Sequence, residues 1–210
     1  MKVNYSLCSL LCISLFAFST IASAQMSNEM FSKGDNILGV GVGLGGTYSY
    51  GSSTGYTQSP SYLLTYENAT IDPGGSVAVG FGGYVSYLTS SLNWNDGYSY
   101  SDKYTFEFLM ARAALHYKVK FSAKIDPYIG ATAGYAFAQH KLETSDPNYM
   151  HRGDPGYSAY SAEPANSGTV QFGGFLGARY YFTDKFGIWA ELVVMNNAYN
   201  YIGLGVNIKL

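Results

Sequence analysis

The sequence has 210 residues, enough for one domain with a full core, and a formal charge of −2 with no Lys- or Arg-rich run excludes a basic nucleic-acid-binding face. Charged residues make up 12 % of the chain, against roughly 25 % in ordinary soluble domains, while aromatic residues reach 17 %. So little charge leaves a surface poorly suited to water and points to an exterior that faces something else.

The chain opens with Lys2, an apolar run from Leu7 to Ile21, and Ala22-Ser23-Ala24. A positive start, an apolar middle and a small-residue site make a secretory signal peptide over 1–24, with cleavage expected between Ala24 and Gln25. Cys8 and Cys12 both lie in this leader. The exported chain is therefore expected to carry no disulfide and no thiolate chemistry. Residues 25–34 form a short N-terminal segment, and 35–210 read as one domain.

After the leader no stretch of 18 uninterrupted apolar residues occurs, so no transmembrane helix is predicted. Instead, alternation with a period of two marks eight strands, near 36–48, 61–68, 75–88, 103–118, 126–140, 168–182, 186–195 and 200–210. In the first, Leu38, Val40, Val42 and Leu44 alternate with Gly39, Gly41, Gly43 and Gly45. In the third, Val77, Val79, Phe81, Val85 and Tyr87 oppose Ala78, Gly80, Gly82, Tyr84 and Ser86. The sixth sets Phe172, Leu176 and Tyr180 against Gln171, Gly173 and Arg179. In the last, Ile202, Leu204, Val206 and Ile208 oppose Gly203, Gly205 and Asn207. One face is thus apolar for about ten residues, the length a tilted strand needs to cross a bilayer, and the other is small or polar. The gaps between strands also alternate in length. Three of the four odd gaps are long and all the even gaps are short, as in barrels with short turns at one end and loops at the other. The predicted fold is all-β, an eight-stranded antiparallel up-and-down transmembrane β-barrel.

The first strand contains a literal GxGxxG at Gly41, Gly43 and Gly46. A dinucleotide fingerprint needs a tight turn and a helix after the strand. Here the glycines continue the strand alternation into a Tyr/Ser/Gly loop. Closure of a barrel makes the first and last strands neighbours. Gly39, Gly41, Gly43 and Gly45 then lie beside Gly203 and Gly205, leaving room for large inward side chains such as Tyr84, Phe175 and Trp189.

Few charges fall within the strands, and most take the inward phase: Glu67, Arg112, Lys118, Arg179 and Glu191, with His116 nearby and Lys209 at the base. On the lipid face each would cost about 2–4 kcal/mol near the midplane. A lumen network of Glu67, Arg112, His116, Arg179 and Glu191 is expected, the arginines paired with the glutamates. Eight strands enclose a bore that side chains fill, so the lumen is expected to be plugged. The fourth strand strains this scheme, because Phe106, Phe108 and Met110 share the phase of Arg112 while Glu107 shares that of Leu115. Either a bulge shifts its register or its upper part projects above the lipid; the second is the expectation.

Chemistry beyond this is weakly signalled. A serine hydrolase would need a histidine in reach of a serine and an acidic or amide partner, and His116, His140 and His151 are the candidates. No G-x-S-x-G elbow and no metal-ligand spacing occurs, so no catalytic residue, metal or cofactor is assigned. Arg152-Gly153-Asp154 lies in the longest loop and reads as part of a Gly/Pro turn, as does the Asp-Gly of "NWNDGY".

The leader together with "SVAVGFGGYVSY", "ARAALHYKV", "DPYIGATAGYAF", "FGGFLGARYYFTDKFGIWAEL" and the final "YIGLGVNIKL" resembles the small outer-membrane β-barrel proteins of Gram-negative bacteria, the family that includes eight-stranded OmpX- and OmpA-like barrels. The resemblance implies the cell outer membrane, contact with its lipid, and a C-terminal strand read by the barrel-assembly machinery. Leu210 departs from the Phe or Tyr with which such chains usually end. It implies no single activity. The leading expectation is a non-enzymatic barrel whose external loops, 49–60, 89–102 and 141–167, carry surface interaction or envelope integrity. The alternatives are a small porin or transporter of apolar solutes, and a soluble lipocalin-like carrier with the opposite solvent arrangement.

Overall fold

The computed structural model describes residues 31–45, 56–119, 122, 124–145, 167–196 and 199–210, with the side chains of Leu142 and Thr144 excepted. The leader with Ala24 and Gln25, the Arg152-Gly153-Asp154 loop, His151 and Gly46 lie outside the described residues. The strands are β1 Asn36–Leu44, β2 Thr57–Gln58, β3 Ser61–Ile71, β4 Val77–Asn95, β5 Ser99–Tyr117, β6 Ile125–Thr144, β7 Ser167–Tyr181, β8 Phe186–Met195 and β9 Tyr201–Lys209. All pairings are antiparallel, and β1 pairs with both β3 and β9 while β4 pairs with both β3 and β5. The ladder therefore closes on itself as an eight-stranded up-and-down barrel, and the two-residue β2 joins β4 outside it.

The solvent arrangement is inside-out. Val40, Phe81, Leu176 and Leu204 are 50, 46, 57 and 43 % exposed, while Glu67, Arg112 and Arg179 are 2, 6 and 6 % exposed. Period-two alternation does this mechanically, because successive side chains of a strand point to opposite faces. The exterior is a band of Val, Leu, Ile, Phe and Tyr that no water-facing sheet would carry. This is the fold of a transmembrane barrel.

Turn chemistry sets the short connections. Between β3 and β4, Gly74 and Gly75 take φ of +79° and +93°, and the Asp72 carboxylate accepts from the Gly74 N–H at 3.1 Å. Between β7 and β8 the Thr183 hydroxyl accepts from the Phe186 N–H at 3.0 Å.

Two expectations need correction. Residues 89–102 are not a loop. β4 and β5, at 19 residues each, stay paired from Val77↔Tyr117 to Asn95↔Ser99, and only residues 96–98 turn, with Gly97 at φ +72°. The chain alternates Ser, Thr, Asn and Tyr there, polar enough to read as loop yet paired as a ladder. With the 20-residue β6, these strands raise one wall of the barrel far above β1, β8 and β9, which have 9, 10 and 9 residues. Gly45 also falls outside the closing seam. It follows the end of β1 at φ +87°, whereas Gly39, Gly41 and Gly43 face Asn207, Gly205 and Gly203.

The pairing of β5 with both neighbours runs without a bulge. Phe106, Phe108 and Met110 are buried in the bore like Arg112, and Glu107 faces outward. The interior is not uniformly polar: it changes from charged to apolar along one strand.

Candidate functional site

The bore holds two layers. The lower layer, at the end of the short connections, collects charges from five strands. Glu67 stands on β3, Arg112 and His116 on β5, Asp126 on β6, Arg179 on β7 and Glu191 on β8, all at inward positions. Glycine clears the space between them. Gly82 on β4 stands opposite both Glu67 and Arg112, so no side chain separates those two strands' charges. Gly177 is opposite both Glu191 and Tyr128, and the Tyr128 ring lies over it.

The partners are specific. Arg112 Nη2 donates to Glu191 Oε2 at 2.7 Å, and its Nε lies 3.5 Å from Glu67 Oε2. Arg179 donates to Glu67 Oε2 at 2.8 Å and to Asp126 Oδ2 at 3.1 Å. His116 meets Asp126 through Nδ1 at 2.7 Å and Glu67 through Nε2. A carboxylate has no hydrogen to give, so both ring contacts are hydrogen bonds only when both nitrogens carry one. With both His116 nitrogens protonated, three carboxylates face three cations, the balance that holds charges out of water. Phe175 lies 4.0 Å from the Arg112 guanidinium, and Tyr128 lies 4.7 Å from that of Arg179.

The structure thus brings together Glu67, Arg112, His116, Arg179 and Glu191, and it adds two residues the sequence reading missed. Asp126 enters the sequence reading only as the first residue of the fifth expected strand, 126–140. Its signal was phase: it alternates with Tyr128, Gly130 and Thr132 on the inward face, and the β6–β7 register sets it opposite Arg179. Phe31 precedes the first strand and had no periodic signal at all, yet its ring stacks on His116 with centroids 3.7 Å apart. Lys118, expected to face inward, pairs instead with Asp72 at the base, where Lys209 was expected and pairs with Asp35, each at 2.6 Å.

The upper layer is apolar and aromatic. Leu63, Tyr84, Leu88, Phe106, Phe108, Met110, Val193, Met195, Tyr199 and Tyr201 form a buried cluster with Trp189 and Phe175. Phe108 stacks on Tyr199 at 4.8 Å, and the Tyr199 hydroxyl is hydrogen-bonded to Ser61. Trp189 lies across the closing seam. A Cβ added at Gly41, Gly203 or Gly205 would fall 2.6, 2.7 or 2.7 Å from its ring. This is the physical need for glycine in "GVGVG".

Above this cluster, Asp102 ties the tall wall together. It accepts from the Tyr56 hydroxyl at 2.6 Å and meets His140 Nε2. Tyr104 stacks on His140 at 4.4 Å. Among the described residues, His140 is thus partnered by a carboxylate and one aromatic ring. Burial and the adjacent Asp102 carboxylate push the Tyr56 hydroxyl well above its ordinary pKa, so it stays a donor.

No protein-family model and no curated protein sequence matches the chain. Among solved structures it is similar to Ail, the attachment invasion locus protein of Yersinia pestis, at 12 % identity and TM-score 0.43 over 85 % of this chain and 100 % of that one. It is similar to the N-terminal β-barrel domain of Pseudomonas aeruginosa OprF at 15 % identity and TM-score 0.45, over 85 % of this chain and 98 % of that one. It is also similar to the outer membrane protein OprG of Pseudomonas aeruginosa at 11 % identity and TM-score 0.44, over 88 % of this chain and 99 % of that one.

Proposed function

We propose that this protein is a non-enzymatic outer-membrane barrel with a plugged lumen, whose outer structures serve surface interaction or envelope integrity. The observation that carries the reading is the two-layer bore. A balanced ion network and an aromatic cluster lie one above the other, so a solute entering from either end meets packed side chains. The apolar band supports residence in lipid. The wall built from 89–102 extends two strands beyond that band; with it, 49–60 and 141–167 are the segments proposed for surface interaction, and the C-terminal β9 is the segment offered to the assembly machinery.

Three measurements test this. Carbonate-washed membranes should retain the protein; its release into the soluble fraction would favour a lipocalin-like carrier. Planar-bilayer recordings of the purified protein should show no large, steady conductance, and liposomes containing it should not swell in small solutes. Conductance or swelling would replace the plugged barrel with a porin. Deletion of residues 91–101 should leave the barrel folded while changing adhesion or detergent sensitivity of cells that carry it.

A further inference from the structure

The base of the bore contains something that belongs to none of its strands. Phe31 lies ahead of β1, yet it is 2 % exposed. Its ring stacks on His116 at an interplanar angle of 17° and lies 5.7 Å from the Arg179 guanidinium. It therefore covers the underside of the ion network.

The barrel wall is shaped to receive it. Ile37, Ala69, Ala78 and Tyr181 form one buried cluster with Phe31. Small residues on β3 and β4 make the room, and a Cβ at Gly80 would come within 2.8 Å of Phe31 Cζ. The segment is also pinned from behind. The Gly34 N–H donates to Ala69 O at 2.8 Å, and the Ala69 N–H donates to Asp35 O at 2.9 Å, so the β1–β3 ladder is prolonged to residue 34. The Asp35 carboxylate then accepts from the Ser32 N–H at 2.8 Å and from Lys209 Nζ at 2.6 Å. Gly34 has φ +97°, a left-handed conformation that a side chain resists, and nothing lies within 4 Å of where a Cβ would stand. That one residue turns the chain back, so that Phe31 enters the bore instead of continuing along the wall.

We propose that residues 31–35 are a stopper: an aromatic side chain, carried in cis, fills a socket at the base and keeps water from the ion network. Buried charges gain strength from low dielectric and lose it when hydrated. The stopper's ring stands ahead of the first strand, and the segment is held at its rim by backbone hydrogen bonds and the Lys209–Asp35 ion pair.

The test is thiol accessibility in the lipid-reconstituted protein with Cys8 and Cys12 replaced by serine. Ala78→Cys places one thiol in the socket wall, which Phe31 covers. With Phe31 in place, a charged methanethiosulfonate reagent should label it slowly. Adding Phe31→Ala should raise the rate at least tenfold while the strand signal in circular dichroism is kept. Gly34→Val should do the same without removing any ring, since a β-branched residue opposes the left-handed turn. Equal labelling rates in the A78C, A78C/F31A and A78C/G34V proteins would overturn the stopper. Loss of the barrel in both F31A and G34V would overturn it too, because the segment would then be part of the core. The readout concerns the base alone, so a conducting outer mouth would count against the plugged-lumen reading and leave this one standing.

Discussion

The two layers of the bore fill the same cylinder by opposite means. Below, six ionisable groups from five strands fix one another through charge and hydrogen bonds. Above, Phe106, Phe108, Met110, Val193 and their neighbours fill space by shape. β5 contributes to both, passing from Phe106 through Arg112 to His116 without a change of register. The difference between the layers is therefore not one of backbone. It lies in what each tolerates: a packed apolar layer accepts substitutes of similar volume, whereas an ion network counts charges and forgives no change of one.

Glu67→Gln gives the largest expected effect. The shape is kept and one charge is lost, leaving Arg179 and His116 each with Asp126 alone and Arg112 with Glu191 alone. Breaking one member of a buried pair costs about 3–5 kcal/mol. We expect that loss in urea unfolding of the reconstituted barrel. A cost below about 1 kcal/mol would show that water already reaches the lower layer. Next comes Gly41→Ala at the seam, where the new methyl meets both Trp189 and the Leu204 carbonyl. Overpacking of this kind costs about 1–3 kcal/mol. The Trp189 fluorescence should shift as the ring is displaced; an unshifted spectrum would mean the glycine is not required there.

Phe108→Leu should cost less, about 1–1.5 kcal/mol, from the loss of its ring contact with Tyr199 and imperfect refilling. The comparison of Glu67→Gln with Phe108→Leu is the sharper experiment than either alone. If the apolar swap costs more than the isosteric charge removal, the division between the layers is wrong.

How much of this was legible in the sequence follows the same physics. Alternation exposed the barrel, its inner face and most of the network, because period two is a local signal that the sheet must obey. Phe186–Met195 coincides with its expected strand, since its outward positions Phe186, Ile188, Ala190, Leu192 and Val194 are apolar from end to end. The tall wall escaped because residues 89–102 are Ser-, Asn- and Tyr-rich. Once a strand leaves the apolar band, its outer face needs no hydrophobic residue, and the contrast that marks strands fades. Asp126 was passed over because it opens its strand, where only its phase links it to the network. Phe31 was beyond reach for a different reason: its place depends on one left-handed glycine and on space left by Gly80, Ala69 and Ala78, which only the closed barrel creates.

The smallest expected effect separates burial from pairing. Lys118 and Asp72 form an ion pair at 2.6 Å, comparable to Arg112–Glu191 at 2.7 Å in the lower layer, but at the rim of the base. The Lys118 ammonium, with help from the Gly74 N–H, holds the Asp72 carboxyl below its usual range. A carboxyl depressed in the folded state stabilises the fold above its unfolded pKa of about 4, and that contribution fades as pH falls through the lower, folded value. Solvent screens such a pair, so Asp72→Asn should cost under about 1 kcal/mol at pH 7. It should cost nothing at a pH below the folded value, where wild type has lost the same contribution. Raising salt to about 1 M, where the screening length shrinks to roughly 3 Å, should erase the neutral-pH difference while leaving that of Glu67→Gln nearly intact. Equal salt sensitivity in both variants would place the lower layer in contact with solvent and collapse the distinction between a pair at the rim and a network in the bore.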